Sequence, residues 1–432
     1  MKKNKVDIIT LGCSKNLVDS EQLMHQFQLN GFQVVHDPEK INGEIVVVNT
    51  CAFIGDAQEE SINLILELEE EKRKGRIGQL YVMGCLSERF LKELQKELPL
   101  VDKFYGKFNW TELLTDIQKI YYKEHAAERI LTTPSHYAYL KISEGCNRTC
   151  AYCSIPIITG KHQSRAIEDI LKETQQLTQK GVKEFQLIAQ DLTYYGLDIY
   201  KKKTLPELVE RLADLPGVEW IRLHYGYPSD FPFELLRVMR EHKNVCRYID
   251  IALQHISDPM LRKMHRNTSK QETLELIHRL REEVPGIHLR TTMMVGFPGE
   301  TEKDFEELVQ FTKDVRFERM GAFAYSHEIG TYAYKHFEDN VPEDVKEERL
   351  DYLMRIQEKI AQESNELKVG KIFKTIIDHE ENGYYVGRTE FDSPEVDPEV
   401  LITNNNITLK PGHFYEVQIE SAEAFELYGK VV

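Results

Sequence analysis

The sequence predicts an α/β protein in three parts: an N-terminal doubly wound parallel sheet, a central partial (β/α)6 barrel of the TIM type, and a small antiparallel β-barrel of the oligonucleotide-binding (OB-like) shape. Three observations carry this. Strand-like apolar runs alternate with helical stretches through the first third of the chain, the pattern of a parallel sheet. The alternation resumes after a cysteine-rich loop and lasts six units, short of the eight that close a TIM barrel. Beyond about residue 370 it gives way to short β-rich runs broken by Gly, Pro, Asn and Asp, as in small closed barrels. The expected domains are 1–125, 132–366 and 367–432.

In the first part, Val6–Leu11 reads as a strand, followed by a polar turn with Gly12 and Cys13 and a helix from about Asp19 to Leu29. Glu44–Thr50 is a continuous β-branched run, suited to a strand buried on both faces, and it ends at Cys51. A helix over about 58–73 and the strand Gln79–Met83 follow, then Gly84, Cys85 and a helix from Ser87, a plausible N-cap. Thr111–Arg129 reads as a linking helix. Cys13, Cys51 and Cys85 each fall just past the carboxyl end of a strand. In a parallel sheet those ends share one edge, where ligands bind, so the three thiols are expected to converge on a metal. Buried structural thiols are the competing reading.

The central part opens with the strand Tyr137–Ser143 and the loop Cys146-Asn147-Arg148-Thr149-Cys150-Ala151-Tyr152-Cys153. Strands are then expected at 184–189, 220–224, 248–253, 287–295 and 320–325, with helices between them. Their carboxyl ends carry Gln190-Asp191, His224 to Pro228, Gln254-His255 and the segment Gly296-Phe297-Pro298-Gly299-Glu300. Gly296 permits close backbone approach to a ligand, although the segment matches neither a P-loop nor a dinucleotide fingerprint. His224 and His255 read as structural histidines, and Cys246 as inert. After a long amphipathic helix from Val345, the β-rich tail carries twelve acidic and five basic residues from position 370 onward. Five of the acids lie on the loop Glu390–Glu399, so Glu395 and Asp397 are candidates for docking a basic protein; a solvated loop is the plain alternative.

Seven cysteines are too few for a disulfide scaffold and point to metal or redox chemistry. A formal charge of −16 disfavours sequence-tolerant nucleic-acid binding. No apolar run approaches a membrane span and no signal peptide is expected, so cytoplasmic residence is the default. Three thiolates on one short loop suit a cubane cluster, which ordinarily takes four cysteines. The iron left open can chelate S-adenosylmethionine, whose reductive cleavage yields a radical able to attack an unactivated C–H bond. Tyr152 is placed to pack over the adenine. A second triplet suggests that sulfur is delivered as well.

These residues resemble the radical S-adenosylmethionine methylthiotransferase family. The Cys146–Cys153 spacing, the Cys13, Cys51, Cys85 trio ahead of it and the β-barrel behind it are similar to that family over nearly the whole chain. Gln190 to Gly196 and Pro394-Glu395-Val396-Asp397 look like its ribosomal-protein-modifying branch; the tRNA-modifying branch would carry a more basic tail. The resemblance implies a TRAM domain at the C-terminus. It implies two [4Fe-4S] clusters, one on Cys13, Cys51 and Cys85 and a catalytic one on Cys146, Cys150 and Cys153. It further implies S-adenosylmethionine as methyl donor and radical source; Tyr152 in the cysteine loop and Gln190 and Gly296 at strand ends are, by position, the candidates to help hold it. The implied substrate is an aspartate of the small-subunit ribosomal protein uS12, methylthiolated at its β-carbon, with a flavodoxin or ferredoxin as electron donor. Adenosine in tRNA is the alternative substrate. Tyr325 to Thr331 departs from the family, which more often shows a proline and an acid after the serine.

Overall fold

The computed structural model describes residues 1–403 and 408–432. They form two compact units. The first is Met1–Thr133 with Glu144–Arg148 and Cys153–Lys161; the second is Pro134–Ser143, Thr149–Tyr152 and His162–Val432.

The first unit is a five-stranded parallel sheet of β1 (Lys2–Thr10), β2 (Gln33–His36), β3 (Gly43–Thr50), β4 (Gln79–Gly84) and β5 (Lys103–Phe104), in the order β2-β1-β3-β4-β5. Alternate residues of β3 serve opposite faces. Val46 and Val48 pack with Ile65 and Leu68 of the helix Gly55–Arg73, and Ile45 and Val47 pack with Leu23 and Phe27 of the helix Ser14–Leu29. Helices on both faces explain why the β3 run is apolar without alternation. The order reverses between β1 and β3, so a ligand crevice is expected outside their carboxyl ends. The short edge strand β2 escaped the sequence reading, since four residues carry little periodicity.

Two other expectations change. Ser87 is inside a helix that starts at Cys85 with Gly84 as its cap, so the third cysteine opens the helix. The helix expected over 111–129 is only Glu112–Asp116 plus a single 3-10 turn, Lys123–His125. Gln118 takes a left-handed φ of 59°, and the chain beyond it is paired by side-chain amides instead. Asn30 bonds the backbone of Ile120 in both directions, and Gln26 does the same for Tyr122.

The second unit holds six parallel strands: β6 (Tyr137–Lys141), β7 (Glu184–Ile188), β8 (Trp220–Gly226), β9 (Val245–Ile251), β10 (His288–Val295) and β11 (Arg319–Ala324). They pair in chain order from β6 to β11 as an open sheet, the expected partial barrel. The tail closes into a five-stranded barrel of β12 (Ile372–Glu381), β13 (Tyr384–Thr389), β14 (Glu399–Thr403), β15 (Phe414–Ala422) and β16 (Glu426–Val431), in the order β12-β13-β14-β16-β15. One pair, β14 with β16, is parallel, so the barrel is not purely antiparallel.

The small barrel covers the amino-terminal edge of the six-stranded sheet through buried charge. Arg388 donates to both oxygens of Glu184 (3.1 and 2.8 Å) and to Asp378, which also holds His136 at 2.7 Å. Arg222, itself fully buried, donates to Glu184 and to the carbonyls of Thr389 and Glu390. Arg319 pairs with Asp392 and Arg290 with Asp397, each at 2.6 Å. Phe414 meets Trp220 edge-on, and Phe391 stacks on His288 at 4.0 Å.

The acids of the loop expected to dock a basic protein are engaged within the chain. The Asp397 carboxylate has no exposed surface and is taken by Arg290, the Tyr248 hydroxyl and the Ser393 amide. Glu395 is exposed as a residue, but its carboxylate accepts from the hydroxyls of Tyr137 and Tyr139. Asp392 and Glu390 are likewise paired, with Arg319 and Arg247. A neutralised, desolvated acid adds little attraction for a partner.

Candidate active site

The first unit gathers Cys13, Cys51 and Cys85 at the carboxyl edge of its sheet, just past the ends of β1, β3 and β4, the last as the opening residue of a helix. A Cβ at Gly12 would lie 2.7 Å from Cys51 Cβ and 2.9 Å from its Sγ. With φ at +89°, glycine is required there to bring the first loop against the second cysteine. Asn16 ties all three loops together. Its Nδ2 donates to the carbonyls of Leu11 (3.1 Å) and Thr50 (3.0 Å), and its Oδ1 lies 3.8 Å from the Cys85 thiol. The same Oδ1 accepts from Lys107 at 3.1 Å, and Lys107 is ion-paired with Asp19 in the interior.

The electrostatics around these thiols are uneven. Desolvation pushes Cys85 up to about 12, with Lys107 opposing. Desolvation also raises Cys51. Cys13 is exposed as a residue, yet its sulfur is deep enough for desolvation to oppose ionisation; the ammonium groups of Lys15 and Lys107 outweigh this and hold it below its usual range. Two of the three also sit at helix N-termini, Cys13 as the cap of Ser14–Leu29 and Cys85 as the first residue of its helix. There the helix dipole favours thiolate. Three soft sulfur donors with a buried cation behind them fit an iron–sulfur cluster better than a hard cation.

The second triplet follows β6. Cys146 donates its amide to Gly160 O at 3.1 Å, and its sulfur accepts the Arg148 amide at 3.4 Å. Gly145 has φ +79° and lies against the Lys161 carbonyl, where no side chain would fit. Cys150 belongs to the second unit. Its sulfur is 3.8 Å from the Tyr227 hydroxyl and 3.5 Å from Arg266 Nη1. Tyr152 accepts from the same Arg266 at 3.2 Å and packs against the core cluster that includes Met260, Met264 and Phe297. Cys153 is half-buried, and Ser154 after it donates to Phe53 O.

Gln190 is half-buried at the end of β7, beside Asp191, which takes the amide and hydroxyl of Thr193. Gly296 has φ +73°, and the atoms a side chain there would strike are those of Lys346. Its amide donates to Glu300, whose carboxylate also receives Arg349 and pairs with His255 at 3.1 Å. The need for glycine at 296 thus has a packing cause. His224 bonds Gln186 at 2.6 Å, so both histidines are held structurally. Cys246 is 1% exposed and burial pushes its thiol up to about 12, as expected of an inert cysteine. Asn16, Lys107 and Arg266 were missed by the sequence reading, and Tyr227 fell in the strand-end segment His224 to Pro228 without a role. Each reaches its cysteine only through the fold, and no spacing rule announces them.

Comparison with known proteins covers nearly the whole chain. The model of the Radical SAM superfamily matches residues 140–312, that of an uncharacterized protein family, UPF0004, matches 5–106, and that of the TRAM domain matches 369–432. Among solved structures, the radical S-adenosylmethionine methyltransferase TsrM from Kitasatospora setae, with cobalamin and a [4Fe-4S] cluster bound, aligns at a TM-score of 0.55 and 14% identity. The alignment covers 95% of this chain and 84% of that one and speaks for the fold. Curated relatives called ribosomal protein uS12 methylthiotransferase RimO are 70% identical in Parabacteroides distasonis, 65% in Phocaeicola vulgatus and 63% in Porphyromonas gingivalis, each over 100% of both chains. Likeness of that degree from end to end places this chain in the RimO family of radical S-adenosylmethionine methylthiotransferases.

Proposed function

We propose that this protein methylthiolates the β-carbon of an aspartate in the small-subunit ribosomal protein uS12. The observation that carries this reading is the full-length identity, up to 70% among the relatives above, to proteins named for that reaction. Two [4Fe-4S] clusters and S-adenosylmethionine, when bound, would supply the place that holds the transferred sulfur, the methyl group and the hydrogen-abstracting radical.

The chain's own residues divide that work. Cys13, Cys51 and Cys85 would hold one cluster and Cys146, Cys150 and Cys153 the other, each triplet leaving one iron without a protein ligand. Lys15 and Lys107 favour the thiolate at Cys13. Tyr152 and Gln190 are the side chains we assign to S-adenosylmethionine, and the turn at Gly296 shapes the adjoining wall. A β-hydrogen of aspartate is too weakly acidic for a side-chain base, and His224 and His255 are held by Gln186 and Glu300. Their engagement agrees with radical chemistry. A flavodoxin or ferredoxin is the electron donor we expect. The excess of acids in the C-terminal barrel supports a protein substrate over a nucleic acid.

The test is anaerobic reconstitution with S-adenosylmethionine, a reductant and purified uS12, followed by peptide mass spectrometry. The expected result is a methylthio gain on one aspartate. Cleavage of S-adenosylmethionine with uS12 unchanged and tRNA modified instead would overturn the substrate.

A further inference from the structure

Arg266 is the outstanding unassigned side chain of the second unit. The helix Asp258–Lys263 ends in a Schellman motif: the Arg266 amide donates to Leu261 O at 2.8 Å, and the His265 amide to Arg262 O at 3.1 Å. His265 takes the left-handed conformation that this ending needs, with φ +55°. The motif turns the chain sharply back and directs Arg266 to the sheet's carboxyl edge. The same corner holds the cysteine loop, because Met264 O accepts the Ala151 amide at 2.9 Å.

Arg266 is 5% exposed, and its guanidinium is permanently charged. Its Nη1 reaches Cys150 Sγ at 3.5 Å and the Tyr152 hydroxyl at 3.2 Å, and its Nη2 donates to Ala252 O. Its central carbon lies 4.1 Å from the Tyr227 ring centroid, and the Tyr227 hydroxyl is itself 3.8 Å from Cys150 Sγ. Among the described residues no carboxylate forms an ion pair with it. A buried cation without a counter-ion is strongly disfavoured. Carbonyl oxygen, phenol and a ring face satisfy it only in part; the group in reach that can carry a full negative charge is the Cys150 thiolate.

We propose that Arg266 is a positioning residue for the radical-generating cluster, the counter-charge and hydrogen-bond donor to its Cys150 thiolate, with Tyr227 as a second donor to the same sulfur. The inference rests on the assignment of a cluster to Cys146, Cys150 and Cys153. Hydrogen bonds and positive charge at a ligand sulfur favour the reduced cluster and so raise its potential. Arg266 eases the entry of the electron without touching substrate. It also couples that sulfur to Tyr152, the residue assigned to S-adenosylmethionine, through one planar group.

The experiment isolates this cluster in a chain carrying Cys13→Ala, Cys51→Ala and Cys85→Ala, reconstituted anaerobically, with iron counted and the midpoint potential read by EPR-monitored titration. About four irons and a reducible cluster are expected before any change at Arg266. Arg266→Gln should keep the iron and shift the potential negative by at least a tenfold change in the reduced-to-oxidised ratio, about 59 mV for one electron. Arg266→Lys and Tyr227→Phe should each move it less, in the same direction. If Arg266→Gln does not assemble, those two variants decide. An unchanged potential in loaded Arg266→Gln, or in both other variants, overturns the role of Arg266. A background chain that binds no reducible cluster overturns the cluster assignment instead.

Discussion

The amide of Asn16 touches all three loops that carry the N-terminal cysteines, and no apolar or aliphatic replacement can do so. Asn16→Ala removes the donors to Leu11 O and Thr50 O and the acceptor for Lys107, whose charge then rests on the carboxylates of Asp19 and, at 3.9 Å, Glu144. The expected result is iron falling from about eight to about four per reconstituted chain. Cleavage of S-adenosylmethionine, which depends on the other triplet, should persist while transfer of the methylthio group is lost. Iron analysis and a deoxyadenosine assay check both halves. The cysteines were legible in the sequence because a thiol at a strand end is informative wherever it lies. Asn16 and Lys107 were not: ninety-one positions separate them, and their meaning appears only when β1 and β5 share a sheet.

Strands and helices with a clear apolar period were legible, and the linker after Asp116 was not. It has helix-forming composition, but Asn30 and Gln26 offer its backbone better-placed partners than a helix would. A pH effect belongs to this scale too, on β10. Burial first, then Lys368 and Arg319, holds His288 well below its ordinary range, with Asp392 opposing. The unfolded chain takes up a proton near pH 6.5 while the folded ring resists it, so this contribution to stability is lost as pH falls below about 6.5. His288→Phe, which keeps an aromatic partner for Phe391, should flatten the decline between about pH 6.5 and 5. Urea midpoints of the two proteins across that window provide the check.

The six-stranded sheet and the C-terminal barrel were each legible, but not the way one covers the other. Three of the acids that read as a solvated or docking loop, Glu390, Asp392 and Asp397, are the counter-ions of arginines on distant strands, and a one-dimensional charge count cannot distinguish these cases. Removing one side of such a pair leaves a desolvated charge behind. Arg388→Ala leaves the fully buried Glu184 with Arg222 and Asp378 with His136 as their remaining cationic partners, one too few for the buried charge, and should cost about 3–5 kcal/mol in urea unfolding. Arg237→Ala, which breaks three pairs on the surface, should change little.

The same buried lattice sets a rule for recombination. A C-terminal barrel transplanted from a tRNA-modifying relative would arrive without its counter-ions unless Glu184, Arg222, Arg290 and Arg319 were exchanged with it. Chimeras meant to retarget this scaffold therefore need their crossover placed inside the strands rather than at the apparent linker. A library of naive tail swaps would select for solubility long before it selected for substrate.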